Sequence, residues 1–489
     1  MLRCIVLFSC TLAFAQAPET RINADIKAIV DGISEERIAA TLKKLESFQT
    51  RYVLSAQDDP SHGIGAAKRW IHDQFVRYSP RLEVSYQPFH IKKGARQGLV
   101  TRDVDLDNVI AVLPGTIHKD TYVLVTAHYD SMALAYKPDH TDEARVAEAV
   151  KHGMHESEAR ELIGYLPTEE VPAVRDPEAT AQQPFAPGVT DDGSGVAAVL
   201  ELARVMSSHA FDKTVVFIAF SGEEIGLEGS KVYAAAAKEK GMNIEAVLNN
   251  DIIGSVVAGN GRTNNGVLRV FGADPDDSPS RSLLRYTHQI AERYVPSMQV
   301  EMVFRGDRFL RGGDHMPFVQ RGYAAVRCTT PSENYKNQHT PTDTFANTSA
   351  AYTTRVAQMN AAVLSSLALA PAPPVLNWDY HSGPNKGGRT PLLTRGKSGY
   401  DAVLHWHANS EPDLAGYAVV VRSTTAPVWQ RETWVGNVTT YTFPDLSIDD
   451  IVIGVKAVDH DGNQSLVSAY LEPVLPSLLK PSDAGKSEQ

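Results

Sequence analysis

The chain has 489 residues, 43% of them hydrophobic and 21% charged, with a formal net charge of −11. At roughly 150 residues per domain, that length accommodates two to four globular domains with sizeable cores. The acidic balance is spread along the sequence without a basic block, which argues against nucleic acid and anionic membranes as partners.

The first residues, MLRCIVLFSCTLAFA, carry one Arg, an apolar run of about a dozen residues and a small-x-small site, Ala13-Phe14-Ala15, the pattern of a secretory signal peptide over 1–15. A membrane anchor needs about 20 apolar residues, and no later segment is long and apolar enough to span a bilayer. The expectation is therefore export, to the periplasm or outside the cell. Removing residues 1–15 takes away Cys4 and Cys10 and leaves Cys328, in the buried-strand pattern YAAVRCT, as an inert core thiol.

Helical spacing runs through Ile22, Ile26, Ile29, Val30 and Ile33, then through Ile38, Leu42 and Leu45, with Ser34 placed to cap the second run. Another amphipathic helix is predicted from Ile64 to Tyr78. Two strand-like stretches follow, RLEVSYQPFH and DNVIAVLPG. Then apolar strands alternate with helical segments: TYVLVTAH, GVAAVLELARVM, TVVFIAFS, KVYAAAAKEK and AVLNNDIIG. This rhythm predicts an α/β sheet with helices on both faces. It breaks over 133–187, a charged, helix-prone stretch that reads as a lid or rim insertion or, alternatively, as surface decoration. APAPPVLNWDY marks a domain boundary near residue 370. Beyond it, short alternating strands over 371–475 predict a small all-β sandwich, and the stretches DLAGYAVVVR, TTYTF and VKAVDHDGN resemble a fibronectin type III module, of unknown ligand. Residues 476–489 read as a disordered tail.

Acids and histidines gather where the apolar runs stop: His128 and Asp130 after TYVLVTA, Asp191 and Asp192 in VTDDGSG, Glu223 and Glu224 after TVVFIAFSG, and Asp251 closing EAVLNN. His339 follows in the polar loop NQHTPTD. Strand ends of an open α/β sheet are where such folds place their chemistry. His128 with Asp130 two residues on fits a metal ligand and the acid that fixes its ring, and equally fits a structural His–Asp pair. Asp191 is expected to bridge two cations and Asp192 to support the turn and the following helix start, although an acid before Gly-Ser also suits a simple N-cap. Adjacent Glu223 and Glu224 point different ways, so one can bind metal while the other acts as a base on water. Two His and three carboxylates form a hard-to-borderline donor set that suits zinc first, then cobalt or manganese.

In this order and company the motifs resemble the co-catalytic two-zinc aminopeptidase family, relatives of glutamate carboxypeptidase, plasma carboxypeptidase and glutaminyl cyclase. The resemblance covers roughly residues 25–368, places a zinc peptidase domain at 16–370 and implies a mixed, mostly parallel sheet flanked by helices. It also implies His128 and Asp251 on one zinc, Glu224 and His339 on the other, Asp191 bridging, Glu223 as general base, Asp130 orienting His128, and a cis peptide between Asp191 and Asp192. This chain departs from the pattern in three places. The segment between His128 and Asp191 is longer. Gln338 stands where several relatives have an oxyanion-binding Tyr, leaving Tyr335 as the candidate substitute. Gly313-Asp314-His315 replaces Ser-Asp-His.

The function implied is hydrolysis of peptides from the N-terminus, with a hydroxide held between the metals as nucleophile and Glu223 taking its proton. Arg305, Arg308 and Arg311, just before Asp314, present a competing feature, since arginines bind a substrate's terminal carboxylate in carboxypeptidases and dipeptidases. A one-metal glutaminyl cyclase and a non-catalytic binding protein are the other readings.

Overall fold

The computed structural model describes residues 22–96, 98–136, 146, 149–150, 153–162, 175–273, 278–309, 311–380 and 389–471. The leader expected at 1–15, the tail expected at 476–489 and most of the centre of the 133–187 insertion lie outside the described residues. One compact unit spans Ala24–Ala368. It opens with helices α1 (Ala24–Asp31), α2 (Glu35–Ser47) and α3 (Gly63–Tyr78). Ser34 accepts the Arg37 N–H at 3.3 Å, satisfying one of the orphan donors at the start of α2. The apolar stripe Ile38, Leu42 and Leu45 is buried as the spacing predicts.

Eight strands form the sheet of this unit: β1 (Glu83–Ile91), β2 (Val104–Leu113), β3 (His118–His128), β4 (Lys213–Phe220), β5 (Asn243–Asn250), β6 (Val267–Gly272), β7 (Gln299–Val303) and β8 (Ala325–Thr329). Their order is β1-β2-β4-β3-β5-β8-β6-β7. β4, β3, β5 and β8 are mutually parallel, whereas the β1–β2, β2–β4 and β6–β8 pairs are antiparallel. The parallel strands are covered on both faces. Every residue of β4 is buried, and so are residues 123–128 of β3, which explains their unbroken apolar sequences. Pro88, which lacks a backbone donor, lies on the edge strand β1, where the missing N–H costs no inner ladder bond.

Short helices α4 (Glu156–Leu162) and α5 (Pro177–Ala181) lie within the insertion. Its two ends are tied together: Asp176 N donates to Ala135 O, and Ala135 N donates to Thr180 Oγ1. Helices α6 (Ser194–Met206) and α7 (Glu228–Glu239) carry the crossovers from β3 to β4 and from β4 to β5. α8 (Pro279–Tyr294), capped by Ser278 with Pro279 in its first turn, joins β6 to β7. α9 (Met316–Val319) precedes β8, and α10 (Ala350–Leu369) ends the unit with nearly its whole circumference buried. Among the described residues, no helix is long and apolar enough to cross a membrane.

The chain from Leu369 onward forms a second unit of antiparallel sheets. A three-stranded sheet, β11 (Leu393–Thr394), β12 (Ala402–His405) and β15 (Thr440–Phe443), faces a four-stranded one, β13 (Leu414–Ser423), β14 (Arg431–Gly436), β16 (Ile451–Asp459) and β17 (Ser468–Ala469). β9 (Trp378–Tyr380) and β10 (Arg389–Pro391) pair separately. Leu404, Trp406 and Phe443 meet Tyr417, Val419 and Val455 in one apolar cluster between the two sheets, with the Trp406 and Tyr417 rings edge-to-face at 5.4 Å.

Cys328 is fully buried on β8, and burial pushes its thiol up to about 12. A variant with Cys4 and Cys10 replaced by Ser should therefore leave Cys328 unmodified by a thiol reagent at pH 8 until denaturant unfolds the chain. Stoichiometric labelling of the native protein within minutes would contradict this packing.

Candidate metal centre

The C-terminal ends of β3, β4, β5 and β8 deliver the acids and imidazoles to one place. His128 is the last residue of β3, Glu223 and Glu224 follow β4 after a glycine turn (Gly222, φ 76°), and Asp251 follows β5. Asp191 and Asp192 lie in the turn that starts α6, joined by a cis peptide bond. His339 comes from the loop after β8, with φ 55°. These segments are far apart in sequence and converge because the four strands are parallel neighbours.

Asp191 sits between two groups of donors. Its Oδ1 is 3.2 Å from His128 Nε2, which is in turn 3.9 Å from Asp251 Oδ1. Its Oδ2 is 3.2 Å from His339 Nε2, and that nitrogen is 3.0 Å from Glu224 Oε2. Within His128, Asp191 and Asp251, and within Asp191, Glu224 and His339, the donor atoms all lie within 4.8 Å of one another. A tetrahedral zinc with ligands at ~2.0–2.1 Å sets its donors about 3.4 Å apart, so both groups have the span of such a site. The side chains also ask for a cation. His128 Nε2 and Glu224 Oε1 are buried without a hydrogen-bond partner. Burial opposes charging of His128 and His339. Asp191, Glu223 and Asp251 around the first, and Glu224 and Asp191 around the second, nevertheless raise both well above the ordinary imidazole value. The surrounding carboxylates thus favour positive charge at both imidazoles.

Three further acids lock the backbone that carries the donors. Asp192 accepts from His128 N at 3.3 Å, Gly195 N at 3.0 Å and Ile252 N at 3.1 Å, tying together the end of β3, the start of α6 and the end of β5. Ile252 adopts φ 64°, strained for a β-branched residue, and that turn aims its N–H at Asp192. Asp343 accepts from Thr190 N at 2.9 Å and Asp191 N at 3.0 Å, so the loop bearing His339 also holds Asp191. Asp130 accepts from the backbone of Glu223 and Glu224, each at 3.2 Å. His128 Nδ1 is bonded to the Asp130 backbone carbonyl at 3.1 Å, while the Asp130 carboxylate oxygen stands 3.7 Å away. The ring of His128 is thus oriented by the main chain of Asp130, and the carboxylate sets the Glu223–Glu224 turn.

Two buried arginines belong to the centre and were missed in the sequence. Arg327, on β8, places Nη2 2.9 Å from Asp251 Oδ1 and Nη1 3.0 Å from Asp307 Oδ1. Arg51 is fully buried and donates to the carbonyls of Tyr129 at 2.7 Å and Gly188 at 2.8 Å, with Asp343, Asp130, Asp192 and Asp191 around it. Burial brings Arg51 down to about 10 despite those acids. Glu223 is half-buried, and burial together with Asp251, Glu224 and Asp314 raises it well above the usual carboxylate value, against the pull of His128. Asp314 bonds Ser230 and is pushed up to about 7 by burial. Gln338 Nε2 donates to Asp191 Oδ2 at 2.7 Å. Tyr335 stands 65% exposed with its ring against the Arg311 guanidinium, 5.7 Å from centroid to Cζ. A shallow cleft opens beside Asp191, lined by Thr190, Ile252, Ser255, Asn334, Asn337 and Asn347 among others.

Two imidazole–carboxylate groups joined by one aspartate, at the C-terminal edge of a mostly parallel sheet, define a metallohydrolase centre. The model of peptidase family M28 matches residues 108–364, and the chain belongs to that family. It is 31% identical over 472 residues to a probable zinc metalloprotease of Leptosphaeria maculans, covering 90% of this chain and 95% of that one. A probable zinc metalloprotease of Pyricularia oryzae is 33% identical over 491 residues, covering 92% and 84%. Among solved structures, the LapA aminopeptidase of Legionella pneumophila aligns with a TM-score of 0.49 at 19% identity, covering 73% of this chain and 78% of that chain.

Two substitutions test how the centre is held. A Cβ on Gly195 would lie 2.3 Å from Asp192 Oδ2 and 2.7 Å from Asn250 O. Gly195→Ala should therefore displace Asp192 and lower the metal retained after dialysis, and wild-type retention would contradict the role given to Asp192. Arg327→Met strands Asp251 without its arginine, leaving Asp307 only Arg308, and should cost about 3–5 kcal/mol in denaturant unfolding of the metal-free protein. An unchanged midpoint would show that the ion pairs carry no weight.

Proposed function

We propose that this protein is an exported, zinc-dependent exopeptidase of the aminopeptidase type that holds two zinc ions. The observation that carries the reading is Asp191, with one oxygen in each donor group. His128 and Asp251 complete one set, Glu224 and His339 the other. The name given to the relatives, probable zinc metalloprotease, supports zinc, and the signal-peptide pattern of residues 1–15 supports export.

Zinc bound there supplies a Lewis acid for the scissile carbonyl and acidifies the attacking water. Glu223, more basic than an ordinary carboxylate in its buried acidic surroundings, takes the proton of that water on a carboxylate oxygen and delivers it to the nitrogen of the leaving amine. Asp130 fixes the spacing of the general base and its neighbouring ligand by bonding both backbone N–H groups. We assign Tyr335 no part in the reaction, since its side chain stands on the exposed rim against Arg311. Acids beside the reacting centre suit a free N-terminal ammonium. Arg308 and Arg311, the residues that would favour a terminal carboxylate, are both engaged by Glu333.

Glu223→Gln should keep wild-type zinc content while kcat on an amino-acid amide falls by about 10²-fold or more; full activity would refute the assignment. A panel of free-amine, N-acetylated and C-amidated peptides reads direction. Cleavage confined to free-amine peptides is expected. Preference for N-acetylated free acids would favour the carboxypeptidase reading, and cyclisation of an N-terminal glutamine without peptide cleavage would favour the cyclase.

A further inference from the structure

Arg308 Nη1 and Arg311 Nη1 converge on a single oxygen, Oε2 of Glu333, at 2.7 and 3.1 Å. Paired arginines meeting one carboxylate is the geometry by which proteins bind terminal carboxylates. Here the carboxylate comes from the chain itself. Glu333 directly precedes Asn334, which lines the cleft beside Asp191, and lies six positions before His339. Arg308 also bonds Asp307 through Nε at 3.1 Å, and Asp307 shares Arg327 with Asp251. The cluster is therefore linked through consecutive ion pairs to a proposed metal ligand. Asp191 and Asp251 lie close enough to act on the charge of both Arg311 and Glu333, so the cluster neighbours the proposed metal centre.

The local charge is balanced: Arg308, Arg311 and Arg327 face Asp307, Glu333 and Asp251. A substrate carboxylate arriving there would be an uncompensated anion beside a largely buried acid, an arrangement that disfavours binding. Arg311 keeps 30% of its side chain exposed, against 11% for Arg308 and 9% for Glu333, so the cluster opens to solvent on one side.

We propose that Glu333 is a built-in carboxylate seated where Arg308 and Arg311 would otherwise take the C-terminal carboxylate of a substrate. It thereby turns the site away from short free-acid peptides and toward amidated or longer ones. The inference deepens the exopeptidase reading and rests on it for its catalytic consequence. Glu333 is a specificity-determining residue in this account, acting by occupying the two arginines.

The test compares a dipeptide with a free C-terminal carboxylate and its C-terminal amide. Glu333→Gln should raise the ratio of kcat/KM for acid over amide by about tenfold or more, the effect of a newly available charge-assisted contact. Adding Arg311→Met to that variant should return the ratio toward wild type. An unchanged ratio in Glu333→Gln, or a gain that survives loss of Arg311, would overturn the proposal. Arg311→Met alone gives a readout independent of whether Glu333→Gln folds: the ratio should stay within about twofold of wild type, well below the effect of losing a charge-assisted contact. A fall of tenfold would mean that the arginine already reads substrate. Calorimetry with N-acetyl-leucyl-glycine, whose amine is blocked, separates this proposal from the catalytic one. Tighter binding to Glu333→Gln than to wild type supports it even if neither peptide is hydrolysed, an outcome that would sink the exopeptidase reading alone. Equal binding overturns it.

Discussion

Asp191 turns one oxygen to His128 and the other to His339, and much of the surrounding structure serves to keep it there. The constraint is severe because the two imidazoles come from widely separated segments of the domain's sequence, one closing β3 and the other in a loop after β8. Parallel pairing of β4, β3, β5 and β8 brings their C-terminal ends to one edge, which delivers the segments but not the ångström-level placement. That placement comes from carboxylates bonded to backbone N–H groups. Asp192 ties three donor-bearing segments, Asp343 holds the Asp191 turn, and Asp130 holds the Glu223–Glu224 turn. The acids that position the centre are thus distinct from those that face its interior.

This arrangement concentrates negative charge out of water. Asp130, Asp191, Asp192, Glu224, Asp251, Asp314 and Asp343 are all buried, and each buried ion carries a desolvation penalty of several kcal/mol unless compensated. Arg51 and Arg327 are permanent counter-charges inside the protein. Divalent cations would supply the remainder, so ligand binding and folding stability are coupled: whatever binds the native arrangement and not the unfolded chain stabilises it. The same logic of internal pairing extends outward to Arg308, Arg311 and Glu333, where the chain meets its own arginines with its own acid.

How much of this was legible in the sequence follows from what each residue does. TYVLVTA, TVVFIAF and AVL are largely apolar runs followed within three residues by a His or an acid, because a doubly covered parallel strand has no polar face and its end is where chemistry begins. Those runs and the acids and His that follow them could be read directly. The segment β6–α8–β7 gave no comparable signal: β7 is five residues long with alternating exposure, and α8 is rich in Arg and polar residues. Arg51 and Arg327 were missed for a different reason. Arg327 reads as an interruption in an apolar strand, and Arg51 answers backbone carbonyls, which leave no mark in side-chain patterns. Asp343, four residues after His339, carried a visible signal in NQHTPTD that spacing from the histidine could have flagged. The Asp130 contact shows the limit of motif logic, since His-x-Asp is present but the main-chain carbonyl, not the carboxylate, meets the imidazole.

The central claim is that one aspartate joins two cations. The most direct measurement is a crystal structure of the zinc-loaded protein with anomalous scattering recorded at the zinc edge. The account predicts two peaks about 3.5–4 Å apart, with Asp191 ligating both, His128 and Asp251 completing one site, and Glu224 and His339 the other. A single peak, or two peaks of which one lacks Asp191, would contradict it.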